Sequence, residues 1–442
     1  MSNFGFGFGP PGDENNPVNP FGFGGSNPAN PFGLGGDDLS AKIPLFAELQ
    51  KLMSGASGPV NWDLARQLAI STLAGQHHAV SATDQSEVAD ALRLADLWLD
   101  SVTDLASGVS TTHAWSQVQW VENTIGTWSA LCDPVANRVV GAMSAALPPE
   151  IAAQAGPMAP MMTQLGGLMF GAQLGQGLAQ LAAEVVSATD VGLPLGPVGT
   201  AALVPANIAA FASGLGHSVS DVRLFIAVRE AAYQRLYAHV PWLRQQLLEA
   251  VDAYGRGIHI DPDAISSALS DIDPTNPESM QNALAGGLFQ PANTDAQNLA
   301  LKRLATLLAL IEGWVDTVTV RATESRMASA TPLAEAIRRR RATGGPAEQT
   351  FATLVGLELR PRQLREAALL WAGMTDSHGT AARESLWNHP DLLPTATDLE
   401  NPTDFVQRYG SASISEQELN TLLDGPAIDP PAQPDPPVEP DS

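Results

Sequence analysis

Val228-Arg229-Glu230-Ala231-Ala232-Tyr233-Gln234-Arg235-Leu236-Tyr237-Ala238-His239-Val240-Pro241-Trp242-Leu243 is the stretch on which the fold turns. Its composition and spacing predict a helix from about Ser220 to His239. Upstream, Ser218 with Asp221 fits the capping box that satisfies free amides at a helix start. Downstream, Pro241 disfavours helical geometry at Val240, so the helix ends there. On such a helix positions 229 and 233 stand one turn apart and share a face.

Arg229-Glu230-Ala231-Ala232-Tyr233 keeps the frame of H-E-x-x-H. That motif puts two histidines on one helix face so that both imidazoles reach one zinc ion, while the glutamate between them polarises metal-bound water. Here the glutamate is present and both histidines are replaced. Arginine does not give up its proton and cannot ligate. Tyr233 ligates only as a phenolate, which neutral pH disfavours. His239 stands ten residues after Arg229, the spacing of a third ligand in longer zinc motifs, but Leu236 occupies the position where those motifs need glycine. It reads instead as a histidine facing the negative end of the helix dipole.

A second long helix is predicted from about Asp295 to Thr323, and it carries Glu312-Gly313-Trp314-Val315-Asp316. Glu312 falls among Leu308, Ile311 and Val315, on the apolar side, so its carboxylate is expected to point inward. A buried carboxylate needs a partner or takes up a proton. Arg229 suits that role because its planar fork can bond a carboxylate twice. On this reading Arg229, Tyr233 and Asp316 are structural substitutes in a former metal site, with Glu230 or Tyr233 completing the hydrogen bonds. The alternative is an active hydrolase, using Glu312 with His217, His239 or His259 as ligands, or Glu230 without metal.

The chain of 442 residues is 44% hydrophobic and 16% charged, enough to bury a substantial core. A net charge of −24 argues against binding a phosphate backbone, and no nucleic-acid partner is expected. The one basic run, Arg338–Arg341, reads as a solvated helix end, with an anion or partner contact as the other possibility. The lone Cys132 reads as a small buried hydrophobe. With no basic, apolar leader after Met1 the expected location is cytoplasmic.

Helical spacing dominates. Residues 61–76, 84–107, 113–131 and 134–147 read as amphipathic helices, with Trp115, Trp120 and Trp128 facing the core. Residues 151–183 carry no charge, but five glutamines and two prolines argue against a transmembrane segment. Gly167, Gly171 and Gly175 form a stripe that lets another helix approach closely. Residues 190–205 read as one short β-hairpin, and Gly344-Gly345-Pro346 breaks the chain before helices at about 347–356 and 361–375. His378 and His389 read as loop residues.

The fold class is therefore mainly α with one short β-hairpin. Three segments are expected: a disordered Gly/Phe/Pro/Asn-rich tail over 1–42, a single helical domain over 43–410 and an acidic, Pro-rich tail over 411–442. Phenylalanines of the first tail could bind a protein partner; oligomeric state is not legible.

These stretches resemble the zincin-like metallopeptidase family found mainly in actinobacteria, whose members are labelled zinc-dependent metalloprotease or hydrolase. The likeness is carried by residues 228–243, by Phe170–Gly175, by Asp190–Leu195, by Leu310–Asp316, by Arg338–Pro346 and by Leu386–Pro394, spanning roughly 43–408. The resemblance implies a mainly helical zincin-like fold. In metal-binding relatives the histidines correspond to Arg229 and Tyr233, the general base to Glu230 and the third ligand to Glu312. Two of the three ligand positions depart here. The resulting expectation is a homologue without zinc or other cofactor, with Glu230 a vestigial general base and Glu312 a remnant third ligand. It would act as a non-catalytic pseudo-enzyme or interaction protein; the alternative is an active zinc-dependent metalloprotease.

Overall fold

A computed structural model of the chain describes residues 58–76, 79–145, 159–256, 294–344 and 361–411. The predicted segment 1–42, nearly all of 411–442, the helix at 347–356 and His259 lie outside the described residues.

The elements in chain order are α1 (Trp62–Leu73), α2 (Ala82–Leu99), β1 (Thr111–Ala114), α3 (Gln117–Ala145), α4 (Ala159–Glu184), β2 (Thr200–Leu203) and α5 (Pro205–Leu215). They continue with α6 (Val219–His239), α7 (Pro241–Arg256), α8 (Asp295–Thr323), α9 (Ala330–Thr343), α10 (Leu364–Ser385), α11 (Ala396–Glu400) and α12 (Pro402–Ser411). The architecture is mainly α. At its centre, α6 and α8 pack on each other; α2 and α5 lie against α6, while α7, α9 and α10 lie against α8.

Local chemistry sets several boundaries. Ser81 and Asp84 form a complete capping box at the start of α2, and Thr294 with Gln297 does the same for α8. The predicted helix 84–107 stops at Leu99. Arg235 draws the chain round there, donating to the Asp96 carbonyl and carboxylate at 2.7 Å each, to Asp100 at 2.6 Å and to the Leu105 carbonyl at 2.7 Å.

Two predicted helices, 113–131 and 134–147, are one: α3 runs through Pro134. An interior proline costs about 3 kcal/mol. Burial of Trp128, Leu131, Cys132, Val135 and Ala136 on both sides of it outweighs that cost. Trp115, Trp120 and Trp128 are all buried. The predicted helix 361–375 starts at Leu364 and extends to Ser385, so His378 is helical rather than in a loop; Gly379 kinks the helix beside it with φ 83°.

From Ala159 onward the uncharged stretch lies in α4, and none of the described helices is long and apolar enough to cross a membrane. Its glycine stripe faces α1. A Cβ on Gly171 would stand 2.5 Å from the Asn61 carbonyl oxygen, and one on Gly175 the same distance from that of Ala65. Only glycine permits this approach.

The predicted β-hairpin over 190–205 is not formed. Thr200–Leu203 instead pairs in parallel with Thr111–Ala114, in the register Thr111↔Thr200 to Ala114↔Leu203. Pro194 and Pro197 lack the N–H groups a ladder needs, and Gly192 and Gly199 take left-handed φ values of 78° and 71°. Residues 190–199 therefore turn rather than pair. β2 finds its partners across the fold, with an antiparallel bridge from Ser187 to Leu203 on its other edge.

Candidate functional site

The site lies where α6 meets α8. Both helices are buried along several consecutive residues there, so charged side chains at the contact are closed off from water: Glu230 is 0% exposed, Glu312 and Asp316 1% and Arg229 6%. Charges in such surroundings must be matched group by group.

Glu312 is the carboxylate that gathers two arginines. Arg229 Nη2 hydrogen-bonds one carboxylate oxygen, and the Tyr233 hydroxyl donates to the other. Arg341 approaches that second oxygen, with Nε at 3.4 Å. Burial by itself would raise the Glu312 pKa, but Arg229 and Arg341 outweigh it and hold the carboxyl below its ordinary value. Burial, with Glu312 alongside, pushes the Tyr233 phenol well above its usual range, so it stays protonated.

One turn along α8, Asp316 Oδ2 accepts from Arg338 Nε at 2.9 Å and Nη2 at 2.7 Å, while its Oδ1 lies 4.0 Å from Arg229 Nη1. Burial dominates at this residue and raises its pKa.

Glu230 sits in a separate hydrogen-bonding cradle. Thr189 donates to Oε2 through its hydroxyl at 2.5 Å and its backbone N–H at 3.1 Å, and Gln234 Nε2 donates to Oε1 at 3.0 Å. Burial still wins over these bonds and raises the Glu230 pKa. The folded state thus holds this proton more tightly than the unfolded chain does. Its contribution is fully present below about pH 4.5 and declines as pH rises through the folded value. Glu230→Gln removes that decline, by at most about 1.4 kcal/mol per pH unit. Urea midpoints at pH 5 and pH 7 for the variant and the unaltered chain measure the difference in slope; equal slopes would contradict the burial argument.

The structure thus brings Arg229, Tyr233, Glu312 and Asp316 together, with Glu230 alongside on α6 but bonded elsewhere. It does not bring His217 or His239 to them. His239 is exposed at the end of α6, with Nε2 3.1 Å from the Ala106 carbonyl, and His217 precedes that helix's first turn. Downstream, His378 faces the Val406 carbonyl at 2.8 Å, while the exposed His389 ring accepts from the Asp391 amide at 3.2 Å and lies 3.4 Å from the Asp391 carboxylate at the surface, away from this site.

The arginine block departs most from its sequence reading. It is not a solvated helix end. Arg338 serves Asp316, Arg341 is buried near Glu312, and Arg340 donates to Asp190 at 2.7 Å; Arg339 is the exposed one of the four, facing Glu335 at the surface. Four consecutive arginines cover every side of a helix, so some must face inward wherever that helix packs. The unmatched signal was the excess of acids on apolar faces, Glu312 and Asp316 above all. Thr189 carries no local signal.

The zincin-like metallopeptidase family model matches residues 60–406. A crystal structure from Chloroflexus aurantiacus, of a protein provisionally described as a hydrolase with a novel fold, superimposes with a TM-score of 0.57 at 21% identity. The match covers 79% of this chain and 99% of the other. No curated protein matches the chain. With the family model spanning most of its length, from α1 to α12, the chain belongs to the zincin-like metallopeptidase family.

Proposed function

We propose that this protein is a zincin-like metallopeptidase homologue that works without zinc, as a non-catalytic pseudo-enzyme. The observation that carries the reading is the occupancy of Glu312: one oxygen takes the Arg229 guanidinium and the other the Tyr233 hydroxyl. The residues present do not fit a zinc ion. Arg229 has no lone pair to offer. Tyr233 would need to ionise, and its surroundings oppose that. A cation added beside Arg229 and Arg341 would meet their positive charges at close range. Among the described residues, no group of three or more His, Cys, Asp or Glu side chains is disposed to hold a metal ion. Arg229 takes over the charge balance that a metal gives in a ligated site.

On this reading the protein is cytoplasmic and acts by interaction, with the phenylalanines of segment 1–42 available to a protein partner.

Metal analysis of the purified full chain tests the assignment. The expected result is zinc well below one ion per chain after dialysis against zinc-containing buffer, with no hydrolysis of peptide substrates. Stoichiometric zinc that survives dialysis would overturn it.

A further inference from the structure

Residues 186–195 leave the end of α4 and run across the α6–α8 contact before the chain enters β2. They begin with the antiparallel bridge to β2: the Ala188 N–H donates to the Ala202 carbonyl and the Val204 N–H to the Val186 carbonyl, both at 2.9 Å. Thr189 then turns inward, and both its donors meet Glu230 Oε2. Gly192 follows at φ 78°, so close over the second carboxylate that a Cβ would stand 3.2 Å from Arg341 Nη2 and 3.5 Å from Glu312 Oε2. The Tyr237 hydroxyl donates to the Gly192 carbonyl at 2.7 Å. Beyond it, Arg244 donates to the Pro194 carbonyl at 2.6 Å and Thr127 to the Leu195 carbonyl at 2.8 Å. Val191, Leu193 and Leu195 are buried.

One side chain ties this segment to α9. Arg340 donates to Asp190 Oδ2 at 2.7 Å and to the Glu184 carbonyl at 2.8 Å, and its guanidinium lies over the Phe211 ring at 5.4 Å. Asp190 in turn accepts from the Val186 N–H at 3.0 Å, closing the turn on itself.

We propose that residues 186–195 are an internal strap, latched by Arg340, that fills the groove over Glu230 and Glu312 so that no peptide from solution reaches either carboxylate. The chain supplies for itself what an extended ligand would bring: backbone pairing along β2, a donor pair for Glu230 and a glycine backbone over Glu312. The proposal deepens the non-catalytic reading and rests on it for its functional meaning. It adds that the site is closed by the fold, independently of the ligand set.

Hydrogen exchange of the full chain, followed by mass spectrometry, tests this. Peptides covering 186–195 are expected to exchange as slowly as those of α6, because opening the strap breaks its pairing with β2 and the buried Thr189 bonds to Glu230, and uncovers Glu312. Arg340→Ala is expected to speed exchange in 186–195 at least about tenfold while α6 and α8 stay unchanged, and Arg340→Lys to have a smaller effect. Loop-like exchange of 186–195 in the unaltered chain would overturn the strap. Acceleration spread evenly over all helices in Arg340→Ala would overturn the latch. Zinc content is read separately. Tightly bound zinc with a protected strap defeats the zinc-free assignment alone, and a zinc-free chain with an open strap defeats this proposal alone.

Discussion

Arg229→Ala lowers the stability of the fold by about 3 kcal/mol, the lower end of what breaking a buried ion pair costs. The side chains involved are 7% and 1% exposed, so water does not replace the lost guanidinium. Glu312 keeps the Tyr233 hydroxyl and the nearby Arg341, which limits the loss. Asp316 also loses a counter-charge 4.0 Å away. Arg229→Lys recovers only part of the loss, since a single ammonium on a flexible stem does not reproduce a planar fork. Urea unfolding with an unchanged m value reads the effect. A loss below about 1 kcal/mol, the level of an exposed pair, would remove the case for Arg229 as the charge that balances this site.

Glu384→Ala has a comparable or larger effect, about 3–5 kcal/mol. Glu384 accepts from the Thr103 hydroxyl at 2.6 Å, from Trp314 Nε1 at 2.8 Å and from Arg383 Nη2 at 2.5 Å. Those donors come from the α2–β1 connection, α8 and α10, so one carboxylate joins three parts of the chain. Arg383 is fully buried, and its other bonds go to neutral oxygens, those of Val102 and Thr375. Truncating Glu384 leaves that guanidinium uncompensated in a low-dielectric interior. The double variant Arg383→Met/Glu384→Leu recovers part of the loss, because it removes both charges together, while the Thr103 hydroxyl and Trp314 Nε1 still lack their acceptor. The exposed Arg365–Glu335 pair is the control, and Glu335→Ala barely moves the unfolding midpoint. If Glu384→Ala behaves like that control, the buried cluster does not hold these elements together.

Legibility followed the range of the interactions. Caps, helix lengths and apolar faces arise within a few residues. The Ser218 hydroxyl capping the Asp221 amide, the span 295–323 and the core tryptophans were accordingly readable. The glycine stripe on α4 was readable as a close approach, although not as an approach by α1. Pro134 misled because its local cost is outweighed by packing along the rest of α3. Residues 190–205 misled because alternating apolar residues with Gly and Pro describe turns as well as strands, and β2's partner is 89 residues away.

The sequence by itself determined a mainly helical chain of the zincin-like family, with Arg229, Glu230 and Tyr233 in a motif frame and Glu312 on an apolar helix face. These are properties of spacing and residue type. Only the tertiary structure decided where the long charged side chains ended up. Arginines of one helix reach carboxylates on others, and a buried carboxylate takes whichever donors packing brings within about 3 Å. Arg341 was thereby drawn toward Glu312, Arg338 to Asp316 and Arg340 to the strap, while Thr189, with no motif around it, came to rest on Glu230.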